Sequence, residues 1–547
     1  MAKFIFVTGG VVSGLGKGIT TASIGLLLKT AGISVDAVKF DPYLNIDPGT
    51  MSPYEHGEVY VLEDGSETDL DLGHYERFLD ENLNHNSSVS SGKVYDSILN
   101  KERNGDYLGK NVQLIPNVTN FIQEKFSAGL EKKPKNHIRL IEIGGSTGDM
   151  EGEIFLESFR QFKQKKRGEI LHIHLGYVPF LNCSGEYKTK PLQNSVRDLL
   201  MTGLQPDVIV ARYFSEHGKK LNKEILEKIA LFGNVQKDKV LSLPDLDSIY
   251  KVPTYLENST IKPVLDEFTN LDLKFKLPDF FENVGNNWKK DVKIGIIAKY
   301  QKLTDAYLSL LESLKIAAVY NKVNFIPVFI DAEKLEKENF DQKEFDKLVE
   351  VKGIVVPGGF GSRGMEGKIE AIKYARENKI PFLGICLGLQ MAVVEFARNI
   401  IGLKAYSSEM LDENKIVDDL DIIIDLIPSQ KNMHKKGGTM RLGNYSCQLE
   451  DNTLAARIFG QKNISERHRH RLEVQEKYVE ILEKNGLKIS GKHFYKDEGE
   501  KKYLVELVEL DTEVHPYFIA TQSHPEFLSR PATPHPLFFN LIKNTLK

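Results

Sequence analysis

Short apolar runs alternate with stretches of helical period along the whole chain. In the first half the runs at Lys3–Val7, Ser34–Phe40, Ile138–Ile143, Ile170–Leu175, Val208–Ala211 and Val240–Leu243 are predicted as strands. Around 261–288 the pattern fades, and Phe275-Lys276-Leu277-Pro278 and Gly285-Asn286-Asn287 look like a linker. A second series starts at Val292–Ala298 and continues at Asn324–Ile330, Gly353–Val356, Phe382–Ile385 and Phe518–Gln522. Strands alternating with helices read as α/β in both halves. The predicted organisation is a domain over 1–268, a linker over 269–291 and a second domain over 292–547, with no internal repeat or low-complexity tract.

Composition narrows the picture. A chain of 547 residues is too long for one core, which agrees with two domains. Charged residues make up 27% and the formal net charge is −4, so no basic excess argues for nucleic acid. No apolar stretch approaches membrane-spanning length, and Met1-Ala2-Lys3-Phe4 runs straight into a strand without signal-peptide character. The three cysteines, Cys183, Cys386 and Cys447, form neither a disulfide framework nor a zinc pattern. They fit a reducing cytoplasm, where a single Cys can be catalytic.

The first strand runs into Thr8-Gly9-Gly10-Val11-Val12-Ser13-Gly14-Leu15-Gly16-Lys17-Gly18-Ile19-Thr20, and a helical pattern follows over Thr21–Thr30. Strand, glycine loop, lysine and helix form a phosphate cradle, in which backbone N–H groups and a helix N-terminus face the anion. The spacing departs from the usual P-loop: five residues separate Gly10 from Gly16, and Gly18 stands where a magnesium-binding hydroxyl normally sits. A metal ligand must then come from elsewhere. Glu142 ends a buried strand among apolar neighbours and needs a cation or hydrogen bonds. Asp71 lies in an acidic stretch over 56–77, and taken alone it reads better as solvated surface. Together the two carboxylates suit magnesium, which takes a few carboxylates with phosphate oxygens and waters. Lys39 ends the second strand, where open α/β sheets bind ligands. Lys188-Thr189-Lys190 can neutralise a triphosphate, although such a tripeptide is commonly plain surface.

The second half carries a different chemistry. Gly384-Ile385-Cys386-Leu387-Gly388 joins a strand to a helix through an elbow that exposes a thiol at a helix N-terminus. His524 and Glu526 follow the last strand, spaced so that on extended backbone Glu526 orients the imidazole that activates Cys386. Pro357-Gly358-Gly359-Phe360-Gly361 ends a third strand and can offer N–H groups to an oxyanion.

The elbow Cys with His-Pro-Glu and Pro-Gly-Gly-Phe-Gly resembles the class I glutamine amidotransferases. The first half resembles the synthase domain of the CTP synthase family, a P-loop fold of dethiobiotin-synthetase type. The matching stretches are Phe6–Gly18, Asp41–Pro53, Glu67–Phe78, Glu142–Gly145 with Gly148–Glu151, Lys188–Pro191, Gly437–Gly443 and Glu466–Arg471. They span nearly the whole chain.

The resemblance implies a catalytic triad of Cys386, His524 and Glu526. ATP would be held by Gly14, Leu15, Gly16, Lys17, Gly18, Ile19, Lys39, Asp71 and Arg212. UTP, or CTP as feedback inhibitor, would be held by Ser13, Asp149, Met150, Glu151, Lys188, Thr189, Lys190, Pro191, Leu192, Gln193 and Lys228. Glutamine would be held by Gly359, Leu387, Gly388, Leu389, Gln390, Glu409 and Arg471, and Mg2+ by Asp71 and Glu142. The resemblance further implies GTP activation, homodimers that pair into homotetramers, possible filaments, and a UTP site shared between subunits. Gly233 stands where the family often has Cys, Gln475 where Asn is usual, and Gly152-Glu153 depart from the pattern after the acidic motif, which bears on the geometry of CTP inhibition.

The implied reaction is amination of UTP to CTP, a ligase step ending pyrimidine nucleotide synthesis. Ammonia from glutamine would replace a phosphorylated O4, reaching it through an internal passage. Two alternatives stay open on residues alone. One is a glutamine-dependent ATPase forming amides from carboxylates, which would lack Lys-Thr-Lys-Pro and the long Asp-Pro-Tyr-Leu-Asn stretch. The other is a P-loop switch with an inactive glutaminase domain, against which the intact triad argues.

Overall fold

The computed structural model describes residues 2–547 apart from 216–217, 300–303, 412–419, 428–438 and 498. Gly437 and Gly438 of the Gly437–Gly443 stretch therefore lie outside the described residues. The chain divides into two compact units, Met1–Pro48 with Asp71–Gly285, and Gly49–Leu70 with Asn286–Lys547.

The first unit is built on a seven-stranded sheet. Its strands are β1 (Lys3–Gly9), β2 (Val35–Asp41), β3 (Ser88–Ser90), β4 (Ile138–Ile143), β5 (Ile170–Tyr177), β6 (Val208–Tyr213) and β7 (Val240–Pro244). The order is β7-β6-β5-β1-β4-β2-β3, and every neighbouring pair is parallel. The strands are buried along nearly their whole length, because helices cover both faces of such a sheet. Each predicted strand is present, most of them a residue or two longer. The short β3 is additional; Ser88-Val89-Ser90 carries no readable period. Below the sheet Phe6, Phe126, Phe159 and Phe162 interlock, Phe6 stacking on Phe159 with centroids 3.9 Å apart. Within the predicted linker a short helix, Asp279–Asn283, packs Phe280 and Phe281 against Tyr250.

The second unit holds a nine-stranded mixed sheet. Its strands are β8 (Asp291–Ala298), β9 (Asn324–Asp331), β10 (Gly353–Val356), β11 (Phe382–Ile385), β12 (Arg441–Leu449), β13 (Asn463–His470), β14 (Lys488–Asp497), β15 (Glu500–Glu509) and β16 (Phe518–Thr521). They lie in the order β9-β8-β10-β11-β16-β15-β14-β12-β13. The five predicted strands form the parallel part. Four further strands extend it in antiparallel fashion.

The segment Gly49–Leu70 packs in this second unit although it comes from the first half of the sequence. A hairpin pairs Tyr60–Val61 with Glu67–Thr68. Tyr60 Oη donates to Phe527 O at 2.8 Å, Asn444 N–H donates to Glu63 O at 3.0 Å, and Ser309 Oγ donates to Glu58 Oε2 at 2.6 Å. Among the described residues no helix is long and apolar enough to cross a membrane.

Candidate active sites

In the first unit the phosphate loop leaves β1 at Gly9, and helix α1 (Lys17–Thr30) begins at Lys17. Gly16, at the helix start, has φ +85°, a conformation glycine adopts without steric cost. Ser13 and Gly14 are exposed on the loop. Lys17 Nζ donates to Gly145 O at 2.9 Å, and Thr147 N–H donates to Gly9 O at 2.9 Å, so the turn after β4 is tied to the loop.

Lys39 near the end of β2 sits between Asp41, at 3.3 Å, and Asp71 at the start of helix α2 (Leu70–Leu79), to which it is also hydrogen-bonded. Glu142, near the end of β4, accepts from Tyr75 Oη. A side-chain carbon at position 18 would stand 2.1 Å from Asp71 Oδ1. The carboxylate occupies the space a hydroxyl residue would need, which explains the missing Ser or Thr in the loop.

The electrostatics follow from burial. Burial, reinforced by the Asp71 charge, pushes the Glu142 carboxyl up to about 7, against the pull of Lys39 and Lys17. Burial also raises Asp71, but Lys39, His74 and Lys17 outweigh it and hold Asp71 below the usual range. Burial lowers Lys17, with Lys39 adding and Glu142 and Asp71 opposing. Two close carboxylates, one held partly protonated, are a donor pair that a divalent cation would relieve. No group of three or more His, Cys, Asp or Glu side chains is arranged for a metal among the described residues, so magnesium here would complete its shell with phosphate and water oxygens.

Arg212 at the end of β6 reaches Leu15 O at 3.1 Å, Pro244 O at 3.0 Å and Asp245 Oδ1 at 2.6 Å, bringing it beside the loop. Thr189 precedes helix α3 (Lys190–Met201), with Pro191 in its first turn, and Gln193 Nε2 donates to Thr189 Oγ1 at 3.0 Å. Lys188 pairs with Glu186, whose carboxyl is lowered by Lys188 and, more weakly, by Lys228. Leu192 is fully buried, so its side chain belongs to the core. Asp149, Met150 and Glu151 lie exposed on a short turn, Met150 at 82% exposure. The structure places them on the turn after β4.

In the second unit Cys386 links β11 to helix α4 (Leu387–Phe396) with φ +52° and ψ −102°, a strained elbow for a non-glycine residue. The flanking glycines are sterically required. A side-chain carbon on Gly388 would lie 2.1 Å from Val356 O, and one on Gly384 would lie 2.8 Å from the Gly388 backbone. At Gly358 such a carbon would meet His524 Cε1 at 2.8 Å and Cys386 Cβ at 3.6 Å. The ends of β10, β11 and β16 therefore converge as predicted. Cys447 is buried with its thiol pushed up by burial, and Cys183 is exposed; neither sits at such an elbow.

His524 Nδ1 and Glu526 Oε1 are 2.8 Å apart. They are not on extended backbone: β16 stops at Thr521, and Pro525–Phe527 forms a short 3-10 turn that brings the carboxylate back to the ring. Burial opposes charge on the imidazole, but Glu526 and the Cys386 sulfur raise it to about 10. The ring also stacks on Phe527 at 5.3 Å.

A cavity of about 320 Å³ opens beside the thiol, lined by Gly359, Cys386, Gln390, Glu409 and Arg471 among others. Leu387, Gly388 and Leu389 bear on it through the helix start and not as lining side chains. Sequence reasoning gave no cavity role to Ser408, Asp425 or His470 in the wall, nor to Gln522, whose Nε2 donates to Cys386 Sγ at 3.6 Å, and read Phe360 only as part of the glycine-rich strand end. It also missed Arg469. The Arg469 carbonyl lies 3.9 Å from Cys386 Sγ, while its guanidinium donates to Glu67 Oε1 at 2.8 Å and caps the Phe360 ring. Gln522 stands two residues before His524, and Arg469 lies within the matching stretch Glu466–Arg471.

Comparison with known proteins agrees with both halves. Residues 3–271 match the family model for the CTP synthase N-terminus, and residues 302–544 match that for class-I glutamine amidotransferase. The chain is 50% identical to the CTP synthase of Carboxydothermus hydrogenoformans, covering 100% of this chain and 99% of that one. It is 48% identical to that of Methanocaldococcus jannaschii, covering 100% and 98%. The Trypanosoma brucei glutaminase domain with bound acivicin matches at 35% identity and TM-score 0.42, over 47% of this chain and 94% of that one. On full-length identity and two family models, the chain belongs to the CTP synthase family.

Proposed function

We propose the following division of labour for the reaction of this family, ATP-dependent amination of UTP to CTP with nitrogen from glutamine. The observation that carries it is the pairing of a thiol–imidazole–carboxylate elbow beside a cavity in one unit with a lysine- and carboxylate-lined phosphate loop in the other.

Glutamine occupies the cavity by Gly359, Gln390, Glu409 and Arg471. Cys386 attacks the side-chain amide, and the N–H groups of Gly359 and the α4 start stabilise the oxyanion. The His524 imidazolium, held by Glu526, gives its proton to the leaving ammonia and then draws one from the water that releases glutamate. In the first unit Lys17 and Lys39 neutralise ATP phosphates, Arg212 lies against its base, and the N–H groups of Gly14 to Ile19 face the anion. Lys188, Lys190, Gln193 and Lys228, with Ser13, receive UTP. ATP then phosphorylates O4 of the uracil, a step that depends on positioning and charge neutralisation. Ammonia displaces that phosphate at C4. Magnesium held by Asp71 and Glu142 would supply charge neutralisation for the phosphates.

Further parts of the proposal follow family resemblance. Asp149, Met150 and Glu151 bind CTP in feedback, GTP activates glutamine hydrolysis, and the chain forms dimers that pair into tetramers in the cytoplasm. The exposure of Met150 supports a partner surface for that turn. The test is CTP formation, followed by absorbance, from UTP, ATP, Mg2+ and glutamine, omitting each in turn and adding GTP. Formation that needs all four supports the assignment. Formation of an amide from a carboxylate in place of UTP would overturn it.

A further inference from the structure

Beneath the phosphate loop, four buried side chains form an unbroken hydrogen-bonded chain. Ser195 Oγ lies 2.8 Å from His174 Nε2, His174 Nδ1 lies 2.8 Å from Thr8 Oγ1, and Thr8 Oγ1 lies 2.8 Å from His172 Nε2. His172 Nδ1 meets Gln205 O at 3.4 Å. Both histidines are 0% exposed, Thr8 1% and Ser195 4%. Burial, with Lys17 nearby, takes His174 down to about 3, and burial likewise keeps His172 neutral.

One proton arrangement satisfies the whole chain. A carbonyl only accepts, so His172 donates from Nδ1 and accepts at Nε2. Thr8 must then spend its single hydroxyl proton on His172 and accept from His174 Nδ1–H. That leaves His174 Nε2 as an acceptor, and Ser195 donates to it. No member can rotate without leaving a buried polar atom unpaired, which costs more than a typical net hydrogen bond contributes.

The ends of this chain matter. Thr8 precedes the phosphate loop by two residues. Ser195 lies in α3, two residues beyond the Lys188–Gln193 segment. A side-chain carbon on Gly10 would stand 2.0 Å from Ser195 Oγ, so the first loop residue rests on that hydroxyl. Neither histidine is used by the chemistry above. We propose that His174 is a positioning residue that locks α3 to the phosphate loop through Ser195 and Thr8, so that occupancy of the ATP loop and of the uridine-triphosphate segment favour each other. This rests on the reading of those two segments as the nucleotide sites.

The experiment measures UTP binding by calorimetry with Mg2+, with and without a non-hydrolysable ATP analogue, in wild type, Ser195→Ala, Thr8→Val and the double variant. Wild type is expected to bind UTP about five-fold more tightly with the analogue, the lower end of usual coupling. Each single variant should bring that ratio near one, and the double variant should add nothing further. In ammonia-dependent synthesis KM for UTP should rise with little change in kcat, a split that general destabilisation would not give. Should Ser195→Ala not fold, Thr8→Val carries the same test. Lys188→Ala separates the two claims. If it leaves UTP binding intact, the site reading fails. If it weakens UTP while Ser195→Ala and Thr8→Val keep the wild-type ratio, or wild type shows a ratio of one, the coupling is overturned.

Discussion

At the residue scale, two titrations bear on the proposed chemistry. His524 binds its proton more tightly in the native state, at about 10, than at its ordinary 6.5. The stabilisation this gives is fully present below 6.5 and is lost as pH rises through 10. Glu526→Gln removes a main cause of the rise. The melting-temperature gap between wild type and this variant should therefore shrink between pH 7 and pH 10, and glutamine hydrolysis should fall by about 100-fold or more, the lower end of what a positioned acid–base group contributes. Glu142 is the opposite case in function. Its carboxyl is raised to about 7 from the usual 4.5, so the native state holds that proton, and the stability it confers fades as pH rises through 7. Magnesium held there, as proposed, would have to displace the proton. Calorimetric Mg2+ affinity in the presence of nucleotide should strengthen from pH 6 to pH 8 and then level, and Glu142→Gln should weaken binding and flatten that profile. The sequence alone marked both carboxylates; it could not rank Glu142 above Asp71 as the protonated one, because that depends on their mutual burial with Lys39.

At the element scale, the glycines around Cys386 and the borrowed hairpin set the thiol's surroundings. Gly388→Ala would push a methyl group into Val356 O, now 2.1 Å from that position. It should cost about 2 kcal/mol or more in denaturant unfolding of the second unit, as overpacking does. The hairpin acts through Glu67. Its carboxylate is nearly fully buried and holds Arg469, whose carbonyl touches the Cys386 sulfur. Glu67→Ala leaves that guanidinium without its carboxylate, so glutamate release should drop about ten-fold while ammonia-dependent synthesis changes less. The polar stretch over 56–77 was legible as special but its destination was not. Only Asp71 of its carboxylates stands by the loop lysines; Glu58 and Glu67 bond Ser309 and Arg469 in the other unit. Chain proximity gave no hint of that crossing.

At the scale of the whole molecule, two sheets of different make-up explain which parts were readable. The parallel strands were found because both faces are buried and their residues are apolar throughout. The antiparallel extension escaped because its buried faces mix charged side chains with apolar ones such as Leu449, Ile489 and Val505. Arg441 sits between Glu473 and Glu506, at 3.1 and 2.6 Å, and Glu466 pairs with His535 at 3.0 Å, so β12, β13 and β15 bury charges that read as surface. The elbow and the phosphate loop were legible because glycine spacing reports a backbone requirement that side-chain burial cannot disguise. On the proposed function, nitrogen release and nitrogen use are separate chemistries on separate units of one chain. The most direct test of this separation is Cys386→Ala, assayed for CTP with glutamine and, separately, with ammonium salts at alkaline pH. CTP formation should vanish with glutamine and persist near the wild-type rate with ammonia; loss of both in a folded variant, or survival of both, would contradict it.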